Sequence, residues 1–443
     1  MNRKYIEGLK QAAFEEIDLH RQRIIELGKS IWKEPEQGFQ EYKTAEKVAA
    51  AFREIDIPFE SGLALTGVKG RLTGATPGPT VAVIGELDAL INPDHPEADK
   101  DTGAVHACGH FAQIAAIIGA GYGLKSILPK LSGEVVLFAV PAEEGINLDF
   151  RKGLRDEGKI KYIGGKQELV RIGAFDDIDL SFMQHNGEGE GPVKATFRTN
   201  NAFITKVVRF SGKASHAAGA PEKGINALQA YTIAQAAINA QRETFKDEDA
   251  VRVHGIVTRG GTSVNVTPGE VMVEMLLRAK TLEALKDVDK KINLSLRAGG
   301  MGVGAAVEIA TYPGYLPLVQ NSQLADCWTR NAEAVLGAGQ VKDMGHSAGS
   351  TDMGDLSQLM PCIHPLIEGG FYGTLHGSDF KLFDEDTAFI IPAKIATATV
   401  IDLLSGEAEE ATRIIEGYSP PLTKKSYLDL LDSYSYSEEF SSI

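Results

Sequence analysis

Three short apolar runs, each closed by residues that carry chemistry, constrain this chain more than any other feature. Thr80–Ile84 leads into Gly85-Glu86-Leu87-Asp88, Val135–Val140 into Pro141-Ala142-Glu143-Glu144-Gly145, and Leu180–Met183 ends at His185. Runs of this length, rich in β-branched residues, predict buried strands. Helix-period segments alternate with them, so the predicted sheet is mainly parallel. In open α/β sheets the ligand crevice lies beyond the carboxyl ends of the strands. An acid, an acid pair and a histidine are therefore delivered to one edge.

The rest of the chain fits around that sheet. Tyr5–Trp32 and Thr44–Ile55 carry helix-period apolar positions, and Asp149–Lys166 reads as a charged surface insertion. After Gly191-Pro192 the order changes: Lys194–Phe210, Val251–Arg259 and Glu270–Arg278 alternate like strands, and Asn226–Arg242 and Leu282–Ala298 read as helices. The predicted fold is α/β. A discontinuous catalytic domain, 1–190 and 313–443, holds a mainly parallel central sheet flanked by helices, and an inserted α+β lid or dimerisation domain spans 191–312. From Glu416 on, Pro420-Pro421 and many Ser, Tyr and acidic residues predict a loosely held tail.

Composition narrows the function classes. With 43% hydrophobic and 24% charged residues, the 443-residue chain can bury a large core. A net charge of -15 argues against nucleic acid or an anionic membrane as the main partner. Cys108, Cys327 and Cys362 do not make a disulfide framework, which fits a reducing, cytoplasmic setting. No apolar run is expected to reach the roughly 20 residues of a membrane span.

The stretch His106-Ala107-Cys108-Gly109-His110 sets a thiol and an imidazole two residues apart. Both are good ligands for zinc and its transition-metal neighbours. The apolar run Ala112–Leu124 predicts a buried helix, with Cys108 and His110 at its N-terminus, where the dipole favours a thiolate. Two ligands do not make a site, so the remaining donors must come from elsewhere in the chain.

Together with Gly85-Glu86-Leu87-Asp88-Ala89-Leu90, Pro141-Ala142-Glu143-Glu144-Gly145, His185, Ser215-His216-Ala217-Ala218-Gly219-Ala220-Pro221 and Leu375-His376-Gly377-Ser378-Asp379-Phe380, this stretch resembles the M20 metallopeptidase and amidohydrolase family. The branch it looks most like is that of the aminobenzoyl-glutamate hydrolase, aminoacylase and peptidase M20 domain-containing proteins. The resemblance runs from about Leu27 to Leu404, with the motifs in the family's order. It implies that Cys108 bridges two divalent metals per chain, with His110, Glu144, His185 and His376 completing the ligand set. That donor set suits zinc or manganese, and nickel or cobalt can also be accommodated.

By the same resemblance Glu143 is the general base toward a metal-activated water, and Asp88 orients a metal ligand. Glu86 and Asp352 are further candidates for such a supporting role. His216 matches a histidine that reaches the neighbouring subunit's site and stabilises the oxyanion, which implies a homodimer through the lid. Asn265 and Arg278 match positions that hold the substrate's carboxylate, a task suited to the planar fork of arginine. Two departures stand out: Phe111, where the family often has Asp or Asn, and Ile91, where proline is common. His20, His95, His254, His346 and His364 fit no ligand position.

These features together predict a metal-dependent hydrolase of a small amide with a free carboxylate, such as an N-acyl amino acid, a dipeptide or an aminobenzoyl-glutamate-like compound. Two alternatives stay open: an amidase with Cys108 as nucleophile and His110 as its base, and a catalytically silent binding homologue of the same fold.

Overall fold

The computed structural model describes residues 3–145, 147–187, 189 and 193–441. Two compact units are formed: Met1–Thr199, Val319–His346 and Asp355–Leu422 make the first, and Asn200–Leu318, Ser347–Gly354 and Thr423–Ile443 the second. The expected boundary at 190/191 lies outside the described residues. Three segments allotted by sequence to the catalytic domain, 313–318, Ser347–Gly354 and the chain from Thr423 on, group instead with the second unit, and 193–199 of the expected lid groups with the first.

The first unit is built on a six-stranded sheet in the order Phe59–Leu63, Gly67–Thr73, Ser132–Val140, Thr76–Glu86, Leu180–Met183 and Cys362–Ile363. The four strands from Ser132–Val140 onward are parallel, and the two before them pair antiparallel. Register aligns Glu86 with Val140 and Ile84 with Met183. The three chemistry-bearing strand ends therefore leave the sheet at one edge.

Helices His110–Ile127 and Ile391–Leu404 are apolar around most of their surface because most of each is buried. A Cβ on Gly119 would come within 2.8 Å of the Ala393 side chain, so the small residue permits their close approach. Against expectation, two helical stretches, His110–Lys130 and Asp386–Leu404, are as long and apolar as a membrane span; 83% of the apolar 18-residue window of each is buried inside the protein, as in core helices. The segment read as a surface insertion also differs. It forms helix Leu148–Asp156, and the Arg151 and Lys166 side chains are fully buried.

The second unit carries a five-stranded antiparallel sheet in the order Arg252–Arg259, Glu270–Ala279, Ala202–Ser211, Ala306–Pro313 and Tyr436–Phe440. Alternate residues Val271, Val273, Met275 and Leu277 pack with helices Ala227–Gln241 and Leu282–Val303 in one core. The predicted loose tail is in fact ordered, as helix Lys424–Ser433 followed by the fifth strand. That strand covers the bare edge of Ala306–Pro313, where unpaired backbone groups are costly. Polar groups fix it: Tyr436 donates to Asp289 Oδ2 at 2.7 Å, and Arg297 pairs with Glu438 at 2.9 Å.

Candidate active site

Local backbone geometry sets the donors in place at the sheet edge of the first unit. Gly109, in the left-handed region at φ 91°, turns the chain into helix His110–Ile127, so His110 opens the helix two residues after Cys108. Adjacent glutamates in a strand would face opposite ways. After Val140, however, Ala142 takes φ 55° and breaks the alternation. The turn is held from three sides: Glu41 accepts the Ala142 amide at 2.8 Å, Asp88 accepts the Glu144 amide at 2.8 Å, and the Arg151 guanidinium donates to the Glu144 carbonyl. His376 arrives on a loop tied by its own amide to the Ala107 carbonyl at 2.8 Å.

Hydrogen bonds decide which ring nitrogens face the centre. His110 Nδ1 donates to the Asp88 carbonyl at 2.8 Å, with Asp88 Oδ1 at 3.3 Å, and His185 Nδ1 donates to the Asn186 carbonyl at 2.6 Å. With Nδ1 so engaged, Nε2 is the nitrogen that each ring turns toward the other donors. The Cys108 sulfur lies 3.4 Å from His185 Nε2 and 3.3 Å from His376 Nε2, and His376 Nε2 lies 3.5 Å from Glu144 Oε1. Two ligands bonded to one tetrahedral zinc sit about 3.3 to 3.6 Å apart.

Two triplets result, Cys108–His110–His185 and Cys108–Glu144–His376, with the ligand atoms of each within 4.8 Å of one another. They share the sulfur. A third triplet, Glu86–His110–Glu143, adjoins them.

The residues fit a divalent cation. His110 Nε2, Glu144 Oε1 and Asp88 Oδ1 are fully buried with only ion-pair neighbours, Glu86 Oε2 at 3.1 Å, His376 Nε2 at 3.5 Å and His110 Nδ1 at 3.3 Å respectively, a state that coordination or a neighbouring positive charge relieves. Burial pushes the Cys108 thiol well up, partly opposed by His110, and pushes the Glu144 carboxyl up against the pull of His376. Burial and then His110 push His185 down to about 3, so its ring is neutral and able to coordinate. For Asp88, burial favours the protonated form, but the hydrogen bond with His110 holds its carboxyl below the ordinary value. A coordinating cation deprotonates a thiol outright.

Sequence reasoning missed four supporting residues: Glu41, Gln113, Arg151 and Lys166, all buried. A carboxylate such as Glu86 at a buried strand end demands a counter-charge, and that demand is the one signal pointing to Lys166. His364, read as structural, is buried with Nδ1 donating to the Met183 carbonyl at 3.1 Å. Phe111 sits in an aromatic cluster with Trp32, Phe371 and Phe389, at ring separations of 4.9 to 5.8 Å. The departure at that position thus serves the core.

The other predicted residues lie in the second unit. His216 is exposed, and its Nδ1 accepts the amides of Ala218 at 3.3 Å and Gly219 at 3.0 Å. Nε2–H is thereby left as an outward donor. His216 bridges to Val266, and the Ala217 amide donates to the Asn265 carbonyl at 3.0 Å, so His216 and Asn265 share one loop pair. Arg278 lies at the far end of strand Glu270–Ala279, half-buried against Phe203 and donating to Ser350 Oγ at 2.8 Å. Asp352 is fully buried in the second unit and is not one of the clustered donors.

An α/β unit with a cysteine sulfur shared by two donor triplets and a carboxylate beside them has the donor set of a metal-dependent hydrolase. The chain belongs to peptidase family M20/M25/M40, whose model matches residues 82–396. Among curated relatives it is 29% identical over 382 residues to the Xaa-Arg dipeptidase of Mus musculus, covering 81% of this chain and 80% of that one. It is 28% identical over 313 residues to the N-acetylcysteine deacetylase of Bacillus subtilis, covering 68% and 76% respectively. A dinuclear metal binding peptidase of the M20 family, also from Bacillus subtilis, shares the fold with a TM-score of 0.63 at 22% identity, over 87% of this chain and 99% of that structure.

Proposed function

We propose that this enzyme hydrolyses the amide bond of a small substrate with a free carboxylate, an N-acyl amino acid, a dipeptide or an aminobenzoyl-glutamate-like compound, at a two-metal centre. The observation that carries this reading is the Cys108 sulfur common to both donor triplets. Cys108, His110 and His185 would hold one divalent cation, and Cys108, Glu144 and His376 the other, with zinc or manganese best suited to the donors. When bound, the metals lower the pKa of water toward about 7 and polarise the scissile carbonyl.

The chain's own residues do the rest. Glu143, half-buried beside the triplets, takes a proton from the attacking water and passes it to the leaving nitrogen. Asp88 fixes the His110 tautomer and the Glu144 amide together. His216 offers Nε2–H to the oxyanion, and Asn265 and Arg278 bind the carboxylate.

A second copy of the chain is part of the proposal. His216 and Asn265 lie beyond the Glu270 end of strand Glu270–Ala279, and Arg278 lies near its other end. At about 3.3 Å per residue these are roughly 26 Å apart, too far for one small amide to touch both within one copy. The edge strand Arg252–Arg259 exposes Ile256 and Val257, which suits pairing with another copy.

The reading is tested by elemental analysis of protein purified without chelator, paired with hydrolysis of N-acyl amino acids, dipeptides including Xaa-Arg, and aminobenzoyl-glutamate. Two metals per chain and chelator-sensitive hydrolysis are expected. Activity that persists in metal-free protein would overturn the reading in favour of the Cys108 nucleophile.

His216→Ala should lower kcat by about 10² to 10³, the size of one oxyanion donor, with metal content unchanged. Co-expressed with Glu143→Gln, it should regain activity, because a mixed dimer rebuilds one intact site. Failure to regain activity would place His216 in its own chain's site.

A further inference from the structure

We propose that Lys166 holds Glu86 off the metal and so keeps the Cys108–His110–His185 position open for chemistry. The inference rests on reading those three residues as metal ligands. Glu86 Oε2 lies 3.1 Å from His110 Nε2, the nitrogen that Asp88 leaves free to coordinate. That distance is close to the edge of a tetrahedral zinc site. Glu86 is also within 4.8 Å of His110 and Glu143 in the third donor triplet. Glu86 thus approaches one ligand of that position, His110, without joining Cys108 and His185.

A fourth protein ligand is the signature of a closed, structural zinc site, whereas catalytic sites keep one position for water or substrate. Two buried groups restrain Glu86. The Lys166 ammonium sits 2.7 Å from Oε1, and Gln113 Nε2 donates to Oε2 at 2.9 Å. Gln113 is itself oriented by the Glu86 amide, which donates to its Oε1 at 3.1 Å. Both oxygens of Glu86 are thereby engaged. A buried lysine–glutamate pair does not earn its place by stability alone, since an apolar pair of the same volume is often as stable. Lys166 therefore acts as a positioning residue: it diverts a carboxylate that would otherwise coordinate.

The test compares wild type, Lys166→Met and Lys166→Met/Glu86→Gln by zinc titration against a competing chelator and by the visible absorption of protein loaded with cobalt(II) alone. Lys166→Met is expected to bind metal about tenfold or more tightly. Its cobalt bands should shift and lose the pH dependence that a bound water contributes, as the carboxylate replaces water in the fourth position, and kcat should fall more than KM changes. The double variant, which has neither charge, should return to wild-type metal affinity and cobalt spectrum. Wild-type or weaker metal binding by Lys166→Met would overturn the proposal. So would a double variant that loses one metal equivalent, because Glu86 would then be a ligand already. If the single variant does not fold, the double variant decides by the same criterion. Wild-type protein that binds no metal would instead overturn the metal-site reading beneath.

Discussion

Glu143→Gln is expected to lower kcat by about 10² to 10⁴, the contribution of a positioned general base, while metal content stays at the wild-type value. The argument is geometric. Glu143 and Glu144 are neighbours in sequence but divide their work, because the left-handed Ala142 and the anchors from Glu41, Asp88 and Arg151 re-aim the turn. Glu144 joins Cys108 and His376, and Glu143 falls with Glu86 and His110. Gln keeps the shape of Glu143 and removes only its capacity to accept a proton. Elemental analysis alongside steady-state kinetics checks the prediction. A variant that loses metal together with activity would show that Glu143 is a ligand, and the roles of the pair would be exchanged.

Cys108→Ser should have the larger effect: loss of both metals and a fall in activity of at least about a thousandfold. Both donor triplets depend on the one sulfur, and a serine hydroxyl is not deprotonated near neutral pH and so is a far weaker ligand than a cysteine sulfur. Metal content by elemental analysis and residual hydrolysis at saturating metal are the readouts. The thiol-nucleophile alternative also predicts an inactive Cys108→Ser, so the deciding variant is Glu144→Gln. In the two-metal reading it loses one metal and most activity; in the thiol reading Glu144 has no role and activity survives. Retention of one tightly bound metal by Cys108→Ser would break the idea that the sulfur is shared.

The donor types at the candidate site were legible in the chain, because residue identity and local periodicity are local properties. Apolar runs closing on Glu86, Glu143-Glu144 and His185 announced strands that end at a crevice, and Cys108-Gly109-His110 announced a helix N-terminus. Those elements lie where their periodicity placed them, since strands buried on both faces must be apolar throughout.

Long-range relations were not legible in the same way. Nothing local tells that Asp149–Lys166 tucks two cations into the core, because charge in a sequence reads as surface until its buried partner is known. The C-terminal segment looked like a tail for a similar reason: Tyr436–Phe440 becomes a strand only because Ala306–Pro313 offers an unpaired edge. The sharing of Cys108 between His185 and His376, residues far apart in the chain, follows from sheet register and from the Ala107–His376 backbone bond. Residue identity thus names the chemistry, whereas the distances that let it act depend on which strands pair and which loops are tied, a balance settled only when the whole core packs.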